Sequence, residues 1–255
     1  MAILRRLGES IRYRVYRLLG LPSTRFVSLF QLISLKRMKM RYALPPVDLA
    51  AIVDSDVTIE PPIIDDCFLP PYHGSKIRHD DFTPLMKIAK GLQPDVVLEF
   101  GTAYGNVAAN ICRQCPKAQV YTVNALPNDI HQVGIYTIEP SKDEIGRVYR
   151  AYGYQDRVVQ IYSDTKVIDF SQFIDSPAIG LAIVDANHET SYVINDFFKL
   201  LPLLRKGGVV LFHDTHPSMS KHLVGSYAAC MELRKQGYDI KHINGTWWGL
   251  YTHMS

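Results

Sequence analysis

The chain has 255 residues, is 47% hydrophobic and 21% charged, and carries a formal net charge of +3. That length holds one large α/β domain or two small ones, and the composition excludes a mostly disordered or collagen-like chain. No stretch reaches the roughly 18 apolar residues of a spanning helix. The longest run, Phe26 to Leu35, is broken by Ser28, Gln31 and Ser34. The N-terminus has arginines but no apolar core of signal-peptide type, and four cysteines make no disulfide framework. A reducing, cytoplasmic setting is expected.

The charge is unevenly placed. Residues 1–41 hold ten Lys/Arg and one acid, Glu9, for +9; the other 18 basic and 24 acidic residues sum to −6. Leu4, Leu7, Ile11, Val15 and Leu18 recur at steps of three and four, one stripe of a helix flanked by Arg5, Arg12, Arg14 and Arg17. Gly20-Leu21-Pro22 stops that helix, and a second apolar-basic segment follows at 26–41. Residues 1–44 thus read as a basic helical arm. The favoured role is packing on the body or on a second copy in a homo-oligomer. The alternative is peripheral contact with anionic membrane lipid.

Residues 45–81 form a second unit. Three Pro-Pro pairs, Pro45-Pro46, Pro61-Pro62 and Pro70-Pro71, predict extended connector, because proline fixes φ and donates no backbone hydrogen bond. Ile63, Ile64, Phe68 and Leu69 make it apolar enough to lie as a strap across the body. Residues 72–81, with His73, Gly74, Ser75, Lys76 and His79, read as a lid.

From Phe82 the texture alternates between strand and helix. Strands are predicted at 96–100, 119–123, 158–162, 181–184, 209–212, 239–243 and 247–251. Helices are predicted at 106–115, 141–153, 190–204 and 221–236. Short continuous apolar strands separated by helices predict a parallel sheet covered on both faces, with ligands at the carboxyl ends of its strands.

Three strand ends carry chemistry. Glu99-Phe100-Gly101-Thr102-Ala103-Tyr104-Gly105 joins a buried strand to a helix. Its glycines permit a sharp turn and close backbone approach to a ligand, and a bulky residue at 101 is expected to fill the ligand's place. Glu99, buried at a strand end, demands a partner. Asp185-Ala186-Asn187-His188 and His213-Asp214-Thr215-His216 follow two further strands on the same side, so Asp185, His188, His213 and Asp214 should converge on one crevice. Cys112 and Cys115, inside a predicted helix with no second pair, read as buried thiols rather than zinc ligands. Trp247 and Trp248 read as core. The 126–142 connection, with His131, Tyr136 and Glu139, is long enough for a substrate loop.

Taken in order, the E-F-G-x-x-x-G turn, Val184-Asp185-x-x-His188, and Leu203 to Gly208 running into Phe212-His213-Asp214 resemble a class I S-adenosylmethionine (SAM)-dependent methyltransferase. The nearest branch is the small-molecule O-methyltransferases with Asp-x-x-His and His-Asp strand ends. The resemblance covers 82–255 and implies a Rossmann-like, mostly parallel seven-stranded sheet with an antiparallel last strand and helices on both faces. It also implies cofactor contacts from Glu99, Gly101, Thr102, Ala103, Tyr104, Gly105, Asn124, Ser163, Asp164 and Asp185. Asn124 stands where the family commonly has a ribose-binding acid, with Asp129 as a substitute. Family members often hold Mg²⁺ with acids of the fourth and fifth strand ends, here Asp185 and Asp214. The base removing the acceptor proton is then His188 or His213, with Asp185 beside it. A small-molecule acceptor, a sugar or natural product, is expected, and no nucleic acid. Two rivals stand beside this reading. A nicotinamide-dependent oxidoreductase would want G-x-G-x-x-G, which the turn lacks. A non-enzymatic partner protein would keep the fold alone.

Overall fold

Central strands apolar on both faces decide the layers. A computed structural model describes residues 44–64, 76–126, 140–215 and 224–254. The arm at 1–43, residues 65–75 of the strap and lid, and the 127–139 loop with Asp129, His131, Tyr136 and Glu139 lie outside the described residues. So do residues 216–223, where the last predicted helix was to begin.

In chain order the strands are β1 (Pro46–Val47), β2 (Val96–Phe100), β3 (Gln119–Asn124), β4 (Val158–Tyr162), β5 (Ile179–Val184), β6 (Leu204–Phe212), β7 (Lys241–Ile243) and β8 (Gly249–Thr252). The helices are α1 (Lys76–Leu92), α2 (Asn106–Gln114), α3 (Arg147–Ala151), α4 (Thr190–Leu200) and α5 (Val224–Lys235). One eight-stranded sheet runs β1-β7-β8-β6-β5-β2-β3-β4, parallel except for β8, which is antiparallel to both its neighbours.

The sheet is doubly wound. Leu98, Phe100, Val123, Ala182, Val184, Val210 and Phe212 face α4 and α5. Their alternates Val97, Val120, Leu181, Ile183, Val209 and Leu211 face α1, α2 and α3. Each buried Val, Leu, Ile or Phe among them contributes roughly 1.5–3 kcal/mol, so one residue of slip would exchange both cores at once.

Three boundaries differ from expectation. The sheet has eight strands rather than seven, because Pro46–Val47 of the strap pairs in parallel with β7. Proline is tolerated there because β1 is an edge strand. The lid at 72–81 and the unit boundary at 81/82 do not survive as drawn, since α1 starts at Lys76 and runs through both. The helix at 141–153 shortens to Arg147–Ala151, because Gly146 sits at φ +72 and breaks the pattern before it.

The strap is fastened by side-chain amides of α2. Asn110 accepts from Ile63 N–H at 2.8 Å and donates to Ile63 C=O at 2.9 Å. Gln114 does the same for Glu60, both bonds at 3.0 Å. The two amides act as a substitute strand for a segment with no ladder of its own. Asn110→Ala should leave both backbone groups of Ile63 unpaired in a buried place, at a cost of about 1–3 kcal/mol. Urea unfolding should register that loss, and proteolysis within residues 59–64 should speed up; an unchanged midpoint and cleavage rate would refute this fastening.

Candidate functional site

Because β2, β3, β4, β5 and β6 are parallel, their carboxyl ends open on one edge of the sheet. The glycine turn leaves β2 there. Gly101 has φ +101 and Gly105 φ +87, and Ala103 also lies at positive φ. A Cβ at Gly101 would stand 2.2 Å from the Asp185 carbonyl oxygen, while Asp185 N–H donates to Phe100 C=O at 2.9 Å. The glycine is thus demanded by the chain's own backbone. A bulky residue at 101 meets Asp185 first, which corrects the expectation that it would meet the ligand.

The turn is closed on itself. Gly101 and Thr102 N–H donate to Val123 C=O, Ala103 N–H to Asn124 Oδ1 at 3.0 Å, and Gly105 N–H to Thr102 C=O. The Asn124 amide also donates to Ala125 C=O at 2.7 Å. Asn124 therefore braces the turn from the end of β3. Tyr104 lies beneath the Arg147 guanidinium, which is 5.0 Å from its ring.

Glu99 points to the α1 and α2 face and is 1% exposed. It accepts from Thr122 Oγ1 at 2.6 Å, and Thr122 shares a 2.7 Å bond with Thr102. Burial, only partly offset by the Thr122 bond and reinforced by the Asp185 charge, pushes its pKa up to about 8. The partner that Glu99 demands is therefore a threonine of the neighbouring strand. Ser163 and Asp164 follow β4. Asp164 accepts from Lys166 N–H at 2.8 Å and from the Tyr192 hydroxyl at 3.0 Å, tying this strand end to α4.

The four residues predicted to converge do so. His188 Nε2 lies 3.0 Å from Asp214 Oδ2 and 3.4 Å from Asp185 Oδ1. His213 Nδ1 lies 3.0 Å from Asp185 Oδ1 and 3.6 Å from Asp214 Oδ2. Asp214 is held at φ +56, an unusual conformation for a residue with a side chain, and this aims its carboxylate inward. Asp185 is the most open of the four, with 27% of its side chain exposed, against 13% or less for the others.

Burial disfavours charge on both imidazoles, but the surrounding carboxylates outweigh it. His188 is raised to about 9 by Asp185 and Asp214, and His213 is raised well above its usual value by Asp185, Asp81 and Asp214. Burial likewise works against ionised Asp185 and Asp214, and the two imidazoles reverse it, lowering both. The carboxylates thus favour the protonated form of both imidazoles, whereas the role of base expected for His188 or His213 needs the neutral ring.

Sequence reasoning missed Asp81. Its Oδ1 lies 3.0 Å from His213 Nε2, and its backbone carbonyl accepts from Trp248 Nε1 at 2.9 Å. Nothing local marks Asp81; only the docking of α1 brings it in. The aromatic pair was expected to be core. Trp248 is, at 2% exposed, but Trp247 stacks on His213 with centroids 5.8 Å apart and planes 12° apart. Cys112 and Cys115 are buried free thiols whose pKa values burial pushes up to about 11. Asp185 and Asp214, the expected Mg²⁺ ligands, do converge, and their inward oxygens face the two imidazoles.

Residues 98–215 match a family model described as a methyltransferase domain. No curated protein matches the chain. Solved structures of similar fold include cofactor-bound Rv0187 from MTB, at TM-score 0.52 and 19% identity, covering 73% of this chain and 84% of that one. A Klebsiella pneumoniae protein classed as an O-methyltransferase aligns at TM-score 0.51 and 16% identity, covering 72% and 84%. The SAH-bound Podospora anserina methyltransferase PaMTH1 aligns at 0.50 and 16%, covering 67% and 76%. At these identities the likeness is one of fold, the Rossmann-like methyltransferase fold.

Glu99 also sets a pH dependence. It ionises near 4.5 when unfolded and at about 8 when folded. Between those values the native state keeps a proton that the unfolded chain has released, so stability falls as pH rises through the window. Glu99→Gln removes that slope. The stability of the variant relative to wild type should rise by about 3.5 kcal/mol between about pH 5 and about pH 8. Urea titrations at both ends check this; a difference independent of pH would exclude a neutral Glu99.

Proposed function

We propose that the chain is a SAM-dependent methyltransferase acting on a hydroxyl group of a small molecule. The observation that carries the reading is the backbone contact between the glycine turn and Asp185. It joins a ligand-approach turn to the acid-imidazole cluster on one edge of the sheet. The methyltransferase-domain match over 98–215 and the fold support it.

The turn also bears on which cofactor it suits. A pyrophosphate needs free backbone N–H groups pointing at it. Here the N–H groups of Gly101, Thr102, Ala103 and Gly105 are spent inside the protein. Beside them stand three carboxylates, Asp81, Asp185 and Asp214, against two imidazoles, a balance that gives an added anion no unmatched positive charge to bind. That supports a sulfonium cofactor over a nicotinamide dinucleotide. Gly101, Thr102, Ala103, Tyr104 and Gly105 would line its methionine end, with Asn124, Ser163 and Asp164 along the strand ends towards the nucleoside.

SAM, when bound, supplies a methyl group whose bond to sulfur breaks, the electron pair staying on sulfur, as the acceptor oxygen bonds to the carbon. The protein has two tasks, alignment and removal of the hydroxyl proton. Asp185 is ionised and open to solvent, so it accepts the hydroxyl hydrogen bond and then the proton. Positive charge on the His188–His213 pair stabilises the oxygen as its negative charge grows. Asp81 and Trp247 hold the His213 ring in place from two sides.

Calorimetry with S-adenosylhomocysteine and, separately, NADH tests the cofactor. The first should bind and the second should not; the reverse would replace this reading with the oxidoreductase. Asn124→Ala, which loosens the turn, should weaken S-adenosylhomocysteine about tenfold. Mass spectrometry of a panel of sugars and phenols incubated with SAM tests the reaction. Asp185→Asn should slow transfer by roughly 10²–10⁴ while changing S-adenosylhomocysteine affinity far less. Cofactor binding with no transfer to any hydroxyl would favour the non-enzymatic partner protein.

A further inference from the structure

We propose that Asp196 is a positioning residue of the cofactor site: it sits in a polar stripe of α4 that clasps the turn after β4, and the clasp holds while its carboxyl carries a proton.

Tyr192, Asn195, Asp196 and Lys199 recur at helical spacing and share one face of α4. Three of them bond the turn at 164–168. The Tyr192 hydroxyl donates to Asp164 Oδ2 at 3.0 Å, the Asn195 amide to Thr165 C=O at 3.4 Å, and the Lys199 ammonium to Ile168 C=O. The turn is also closed on itself. Lys166 N–H donates to Asp164 Oδ1 at 2.8 Å, and Val167 and Ile168 N–H donate to Asp164 C=O. The Ser163 hydroxyl donates to the same carbonyl at 3.2 Å. The clasp on α4 therefore fixes Ser163 and Asp164, the two residues at this strand end that would face the nucleoside.

Asp196 differs from its three neighbours. It is fully buried, and the Asn195 amide reaches its Oδ1 at 3.2 Å. Its Oδ2 has no hydrogen-bond partner, and neither has the buried hydroxyl of Thr165. The charged groups facing it are Asp164 on the turn and Lys199 on its own helix, with Lys166 standing 3.6 Å from the centre of the Tyr192 ring. Lys199 is committed to Ile168. A buried carboxyl in that setting costs far more ionised than neutral. Burial, reinforced by Asp164 and offset only in part by Thr165, Asn195 and Lys199, pushes Asp196 up to about 7.

Released to water, Asp196 would ionise near 3.8. Between that value and about 7 the closed turn keeps a proton that an open turn gives up, so closure weakens as pH rises through the window. The consequence for the cofactor rests on the methyl-transfer reading. The clasp itself does not, and it is measured without cofactor.

Hydrogen exchange of the full chain, corrected for intrinsic rates, tests the clasp at the amides of Lys166, Val167 and Ile168. Their protection should fall by up to about tenfold per pH unit between about pH 5 and about pH 7, then level off. Asp196→Asn, neutral at every pH, should remove the slope. Tyr192→Phe, which cuts one bond to Asp164, should lower protection and keep the slope. Glu99 titrates in an overlapping window, so Glu99→Gln is measured too and should also keep it. Wild-type protection independent of pH, a slope retained in Asp196→Asn, or a slope lost in Glu99→Gln would each overturn the proposal. The first of these needs no variant to fold. Saturating S-adenosylhomocysteine should then raise protection at 166–168 more than at Ile63 of the strap; an equal rise at both would overturn the positioning role. A chain that shows the slope and binds no S-adenosylhomocysteine keeps the clasp and loses the methyltransferase reading. One that binds S-adenosylhomocysteine without the slope does the opposite.

Discussion

The site depends on one close approach. The backbone leaving β2 and the backbone leaving β5 come so near that residue 101 has no room for a Cβ beside the Asp185 carbonyl. Glycine at 101 serves both its positive φ and this packing. The contact places the ligand turn and the first acid of the cluster on adjacent strands, in fixed register through the Phe100–Asp185 hydrogen bond. Asn124 and the N-terminal end of α3 then brace the turn from its other side.

The second constraint is electrostatic. Three carboxylates, those of Asp81, Asp185 and Asp214, surround two largely buried imidazoles. Ionised groups are costly to bury unless each is matched, so the cluster is stable only as a unit. Removing one member leaves another uncompensated, although its parts come from three separate regions of the chain. The carboxylates favour protonated imidazoles at its centre.

The strap and α1 extend this arrangement outward. Strap residues pair as an edge strand with β7 and are clasped by Asn110 and Gln114 of α2. Helix α1, following the strap in the chain, delivers Asp81 to His213 and seats Trp248 through a backbone carbonyl. What looked like a lid before the catalytic body is, from Lys76 onward, part of its support.

Much was readable in the residues themselves. Short continuous apolar runs and the helices between them pointed to the doubly wound sheet, because each strand must bury both faces. Parallel connection alone then required that the residues after β5 and β6 share an edge, so Asp185, His188, His213 and Asp214 could be grouped before any coordinates. Distances between strands were beyond the sequence. That Gly101 answers to Asp185, that Glu99 is satisfied by Thr122, that Asn124 is spent on the turn, and that the imidazoles are locked in place by carboxylates all depend on how neighbouring strands stack. Asp81 lies 132 positions before His213, and no local pattern relates them. Local periodicity assigns a residue to a face; only tertiary packing decides which charge stands within 3.0 Å of it.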